Sequence, residues 1–223
     1  MTYIRKDPIV NNEVYHILTK SICGYIIFNN ESEFSRMINL LRFYRHMRPS
    51  MSFSQFNKLS LINQEKFLSN QNKNKKDVLV QIISYSIMPT HLHLTLKQII
   101  DGGISLFMKN VLNSYAKYFN LKHKRKGPLW EARFKNVLIV DDKQLLHLTR
   151  YQHLNSVSAG LAEKPEDWPF SSYKEYLGQI DEKNRICNFK DTLDIKPAIY
   201  KNFVNDRIAY QKQISRIKKL LLE

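Results

Sequence analysis

The stretch VLVQIISYSIMPTHLHLTLK (residues 78–97) decides how the rest of the chain is read. Its first part, VLVQIISYSIM (78–88), is a nearly continuous apolar run, the pattern of a central strand buried on both faces. Pro89 interrupts the run, and HLHLTLK (91–97) resumes in strict alternation. Side chains of a strand point to opposite faces in turn, so His91, His93, Thr95 and Lys97 share one face while Leu92, Leu94 and Leu96 share the other. The leucine face is core. The other face offers two imidazoles from adjacent same-side positions. On pattern alone such a pair is more often structural than metal-binding, and two imidazoles leave a metal site incomplete.

On the N-terminal side, EVYHILTK (13–20) and GYIIFN (24–29) read as two short β-rich runs forming a hairpin or bulged pair. ESEFSRMINLLRFYRHM (31–47) places Phe34, Met37, Ile38, Leu41 and Tyr44 at helical spacing behind acidic residues. Residues 48–77, rich in Ser, Asn, Gln and Lys, read as a polar insertion or mobile excursion. On the C-terminal side, GGISLFMKNVLNSYAKYFN (102–120) is helical, KHKRKG (122–127) is a basic loop and LWEARFKNVLIV (129–140) is a further strand. DDKQLLHLTRYQHLN (141–155) is a helix with Asp at its start to cap free N–H groups. The order β-β-α-β-β-α-β-α predicts an α+β domain with an antiparallel-rich sheet over residues 1–178. Residues 179–223 follow as an extension ending in a basic amphipathic helix, DRIAYQKQISRIKKLLLE (206–223).

Thirty-five Lys and Arg against 20 Asp and Glu give a net charge of +15. That balance favours a polyanionic partner, nucleic acid first, and 12 Tyr with 12 Phe add surfaces on which bases can stack. With 43% hydrophobic and 25% charged residues the composition excludes a disordered chain. There is no apolar run of membrane-spanning length and no signal-peptide core, and Cys23 and Cys187 lie far apart, so a reducing cytoplasm is expected.

The helix at 141–155 carries groups that could complete the histidine pair. Tyr151 and Asn155 stand at i and i+4, one turn apart on one face. An amide oxygen is a hard ligand suited to Mg²⁺ or Mn²⁺, and a tyrosine beside such an ion can act as a nucleophile. From this helix alone a core role for Tyr151 is the stronger reading. Tyr115 and Tyr118 are rival nucleophiles, but neither has an amide at i+4. His147, one turn before Tyr151, reads as a helix histidine or an orienting partner.

The ordered blocks YHILTK, YSIMPTHLHL, SYAKYFNLKHKRKGPLWEARFKNVLIVDD, RYQHLNSVSAGL and DWPFSSYKEY resemble the REP-associated tyrosine transposases, in the single-strand branch of the HUH nucleases. The resemblance covers about residues 15–176. It implies a ferredoxin-like antiparallel sheet with helices packed on it, the HUH nuclease core, to which residues 179–223, outside the resemblance, add a helical C-terminal extension. It implies His91 and His93 as metal ligands with Asn155 as a third, and Tyr151 as the nucleophile that cleaves single-stranded DNA through a 5′-phosphotyrosine. A divalent metal, Mg²⁺ or Mn²⁺, and a hairpin-forming DNA repeat follow as cofactor and partner. A homodimer stays open. Lys122, Lys124, Arg125, Lys126, Arg133 and Lys135 are the candidate phosphate-binding surface, each with a solvated charge as the plain alternative. Thr90 replaces the usual Asn of the family, Ser156 the usual Pro and Ser158 a common Arg. The rival functions are a non-catalytic DNA-binding descendant of such an enzyme and a metal-dependent hydrolase using water.

Overall fold

The computed structural model describes residues 8–47, 49–73 and 77–213. Four strands form one sheet in the order β2-β3-β1-β4, with every neighbouring pair antiparallel. They are β1 (Val14–Lys20), β2 (Val80–Met88), β3 (His91–Gln98) and β4 (Lys135–Ile139). Helix α1 (Glu31–Phe43) lies in the crossover from β1 to β2, and α4 (Gly103–Lys122) in the crossover from β3 to β4. Two split β-α-β units interleaved in this way are the ferredoxin-like arrangement. β3, with its histidines, is therefore an inner strand.

β2 is an edge strand, not the central one that its apolar run suggests. Its burial has another source. Helix α4 packs near one face and helix α5 (Asp142–Ser158) near the other, while later segments cap the open edge. Asn188 N–H donates to Ile82 O at 2.8 Å, Ser172 N–H to Tyr85 O at 3.0 Å and Ile87 N–H to Phe170 O at 2.9 Å. Cover of this kind withholds these ladder groups from another strand. A bulge between Ile82 and Ser84 frees the Ile83 carbonyl, which accepts from Tyr176 Oη at 2.9 Å.

Leu92, Leu94 and Leu96 are fully buried against the α1 and α4 layer, and each contributes about 1.5–3 kcal/mol by leaving water. Gly103 lets α4 start close to the sheet. A Cβ there would stand 2.3 Å from Leu79 O. The helices are capped as their sequences direct, Asn30 accepting from Glu33 N–H and Asp141 from Gln144 N–H.

Three segments depart from the sequence expectation. Residues 24–29 are not a strand. A 3₁₀ turn at Ile22–Gly24 passes through left-handed φ at Cys23 and Gly24, so the chain cannot hold a ladder there. Ile27 and Phe28 instead donate their N–H groups to Pro89 O. The polar excursion at 48–77 contains α2 (Phe53–Phe56) and α3 (Leu61–Lys73), because Phe53, Phe56 and Phe67 pack around Phe43. Of the strand expected over 129–140, only Lys135–Ile139 pairs along β1.

After α6 (Tyr173–Tyr176), the chain adds Ile186, Cys187, Phe189 and Leu193 to the core. Helix α7 (Pro197–Asn205) adds Tyr200 and Val204, and residues 208–213 are helical. The rest of the expected terminal helix, 214–223, lies outside the described residues.

Candidate active site

β3 projects His91 and His93 onto the face covered by α5, opposite the buried leucines. Register carries β1 into the same site, since Leu18 stands across from His93 and His16 across from Thr95. His93 is the centre of the cluster. Its Nδ1 lies 2.9 Å from His16 Nε2, and the two rings stack at 5.2 Å. The His91 ring lies 5.0 Å from that of His93, and the Tyr151 ring meets His93 edge-on at 5.7 Å. Within this one chain the Tyr151 ring thus lies beside the histidines of β3.

Helix α5 is seated by a buried amide. Gln152 accepts from Ser84 Oγ on β2, and its Nε2 donates to Thr95 Oγ1 on β3 at 3.0 Å. His153, facing the opposite way, bonds Tyr200 Oη at 2.6 Å and Ser172 Oγ at 2.7 Å. These anchors fix the rotation of the helix and leave Tyr151 at its margin, 47% exposed beside His93. Asn155 is 7% exposed, and its Nδ2 is a buried polar atom without a hydrogen-bond partner. Such an orphan is costly unless a ligand meets the amide.

Burial holds the three imidazoles neutral. His93 is pushed down to about 2, with the neighbouring His91, His16 and Lys20 adding repulsion. His91 falls to about 4 through burial and then Lys20, and His16 to about 4 through burial. Neutral imidazole is the form that ligates a metal. Thr90 Oγ1 engages His91 Nδ1 at 3.0 Å and His16 engages Nδ1 of His93, so both hydrogen bonds leave the Nε2 atoms uncommitted. A second partner on Nδ1 is the usual means of orienting a ligating histidine. The Nε2 atoms of His91 and His93 are donors that suit a divalent cation, and Asn155 stands one turn after Tyr151 on α5. Among the described residues no group of three or more His, Cys, Asp or Glu side chains is itself arranged to hold an ion.

The six basic residues expected to form one surface are divided. Lys122 sits on the far side of the sheet, where its Nζ pairs with Glu33 at 2.9 Å. Arg125 closes its own loop by donating to Asn120 Oδ1 at 3.1 Å and Pro128 O at 2.7 Å. Lys124 and Lys126 are exposed. Arg133 and Lys135 line a recess of about 130 Å³ with Leu18, Thr19, Lys20 and Glu131, beside the histidine cluster. Lys20 stands directly across from His91 and was missed in the sequence, as was His16. Both alternate in step with Leu18 along VYHILTK, a signal that becomes useful only once β1 is known to pair with β3.

The rival tyrosines are occupied elsewhere. Tyr115 is fully buried and donates to Ile27 O at 2.6 Å, and Arg36 lies 4.7 Å over the Tyr118 ring. His147 contacts Arg150 Nη2 at 2.8 Å through its Nδ1.

Two curated bacterial proteins are similar to the chain. A Haemophilus influenzae protein described as a REP-associated tyrosine transposase is 29% identical over 104 residues, 42% of this chain and 58% of that protein. The Escherichia coli REP-associated tyrosine transposase is 27% identical over 103 residues, 45% of this chain and 59% of that protein. The chain resembles REP-associated tyrosine transposases. It spans less than two thirds of the length of these relatives, 58% and 59%. A solved REP-associated tyrosine transposase bound to a REP hairpin superposes with a TM-score of 0.50 at 12% identity, covering 85% of this chain and 93% of that one, and shares the fold. No protein-family model matches. No helix among the described residues is long and apolar enough to cross a membrane.

Proposed function

We propose that this protein is a DNA transposase that cleaves and rejoins single-stranded DNA at hairpin-forming repeats. The observation that carries the reading is the edge-on contact of Tyr151 with His93, whose imidazole adjoins those of His91 and His16. Tyr151 Oη attacks the scissile phosphorus, the P–O bond to the preceding 3′-oxygen breaks, and a 5′-phosphotyrosine and a free 3′-OH result. Return of a 3′-OH reverses the exchange without loss of ester bond energy. His91 and His93 would hold a divalent cation, Mg²⁺ or Mn²⁺, with Asn155 as third ligand. When bound, it supplies charge to neutralise the phosphate oxygens in the transition state. His16 orients His93, and burial keeps the imidazoles unprotonated. Lys20, Arg133 and Lys135 supply positive charge beside the histidines for the DNA backbone. Residues 1–178 form the catalytic unit in this reading, 179–223 are its extension, and the protein works in the cytoplasm.

The relatives' shared name supports the transposase class, and the net charge of +15 supports a polyanionic substrate. Incubating the protein with a labelled hairpin oligonucleotide and Mn²⁺ tests it. Wild-type protein should retain label through a denaturing gel, and Tyr151→Phe should lose at least about 100-fold of the adduct while binding the oligonucleotide as before. An adduct that persists in Tyr151→Phe refutes the assignment. The second reading is a non-catalytic DNA-binding protein, for which the net charge of +15 would suffice. Tight hairpin binding without any adduct would select it.

A further inference from the structure

Tyr151 has a second side. Helix α5 presents His147, Arg150, Tyr151 and Leu154 at i, i+3, i+4 and i+7, a continuous stripe on one helical face. Facing it are Arg207, Tyr210 and Gln211 from the C-terminal segment, and the space between is a cleft of about 300 Å³. That volume lies at the small end of ligand clefts.

The cleft is built and not incidental. The Arg150 guanidinium stacks 4.0 Å over the Phe203 ring and donates to Phe203 O at 3.3 Å, which fixes it against α7. Ser158 Oγ donates to Gln211 Oε1 at 3.1 Å, and Lys212 pairs with Glu163, so the segment is tied to the end of α5 and the loop after it. Two guanidiniums and no carboxylate line the cleft. Burial and the nearby Arg207 both press the Arg150 pKa down, with Tyr200 and Asp206 offsetting part of this. Among the described residues Arg207 has no ion-pair partner, and its guanidinium lies 5.6 Å over the half-exposed Tyr210 ring. Two close positive charges in a cleft that no carboxylate lines favour an anion there, and an exposed aromatic beside them is a stacking surface for a base.

We infer that this cleft is a subsite for the nucleotide next to the one attacked by Tyr151, its phosphodiester held by Arg150 and Arg207 and its base placed against Tyr210. The inference rests on the proposed reaction at Tyr151, because that residue is the wall shared by the cleft and the histidine cluster. The C-terminal extension thus takes part in substrate binding.

The test uses the full-length protein and single-stranded oligonucleotides shortened one nucleotide at a time from either end, with binding followed by fluorescence anisotropy across salt concentrations. Arg207→Ala should weaken the longest oligonucleotide about tenfold and lower the salt slope by about one. That loss should vanish at the truncation that removes the bound nucleotide. Arg207→Lys should recover part of the affinity, and Tyr210→Leu should cost about 3- to 10-fold on the same oligonucleotides only. An equal loss at every length, or no loss, overturns the subsite, and so does a free deoxynucleoside monophosphate binding as tightly as the longest oligonucleotide. The adduct assay reads the reaction separately. An adduct with a flat Arg207 profile removes the subsite and leaves the reaction, whereas a stepped profile without adduct does the reverse.

Discussion

The two faces of the sheet each gather histidine and lysine, and they treat them oppositely. On the α1 and α4 side, Glu33 is fully buried as a side chain and accepts from Lys122 at 2.9 Å, with His123 Nε2 at 2.6 Å. Burial alone would raise the Glu33 carboxyl, but the Asn29 N–H, His123 and Lys122 together hold it down to about 2. Lys122 and His123 there share one carboxylate, and the cluster ties α1 to the end of α4. On the α5 side, burial is the main cause of the low pKa values of His16, His91 and His93, with Lys20 adding to it for His91 and His91, His16 and Lys20 adding to it for His93. A satisfied cluster is a fastening. An uncompensated one, flanked by an exposed tyrosine, is where a ligand is expected.

Substitution of one histidine on each side gives the sharpest contrast. His93→Ala should reduce the phosphotyrosine adduct by at least about 100-fold and also lower the melting temperature, since it empties a buried position and leaves His16 Nε2 without its partner. His123→Ala should leave the adduct within about twofold and lower stability by about 1 kcal/mol, since the pair it breaks is partly exposed. Equal effects of the two on the adduct would erase the distinction between the faces.

Acid should separate the faces next, with stability followed by urea unfolding at a series of pH values. The histidines have folded-state values below the ordinary 6.5, so the unfolded chain binds more protons than the native one as pH drops. Their stabilising contribution is complete above about 6.5 and is lost as pH falls toward 4 and below, by up to about 1.4 kcal/mol per pH unit per histidine. Glu33, also depressed, retains its contribution down to about 4.5 and loses it toward 2. Stability that stays flat between pH 6.5 and 4.5 would contradict the burial of the neutral imidazoles.

The smallest expected effect concerns the basic residues. Arg133→Ala should weaken binding of single-stranded DNA about two- to fivefold and lower the salt slope by about one, and Lys122→Ala should change neither. A larger loss from Lys122→Ala would return the DNA to the α1 and α4 side.

Much of this was legible because it depends on backbone geometry within a turn or two. Alternation put His91 and His93 together, helical spacing put Tyr151 one turn from Asn155, and Asp141 marked the start of α5. The resemblance of five ordered blocks supplied the topology. GYIIFN failed as a strand because Ile27 and Phe28 are buried without a ladder partner, held instead by Pro89 O, while Tyr25 and Ile26 stay exposed. The aromatic residues at 53, 56 and 67 were hidden in a polar composition that masks their spacing.

By itself the sequence determined which side chains share a strand face or helix stripe, since those periods are set by φ and ψ. Only the tertiary structure decided what each stripe meets. Pairing of β1 with β3 brought His16 and Lys20 to residues more than 70 positions away, Glu33 consumed Lys122, and the docked C-terminal segment brought Arg207 and Tyr210 to Tyr151. Contacts of that range are selected by the packing of the whole core, which local periodicity does not encode.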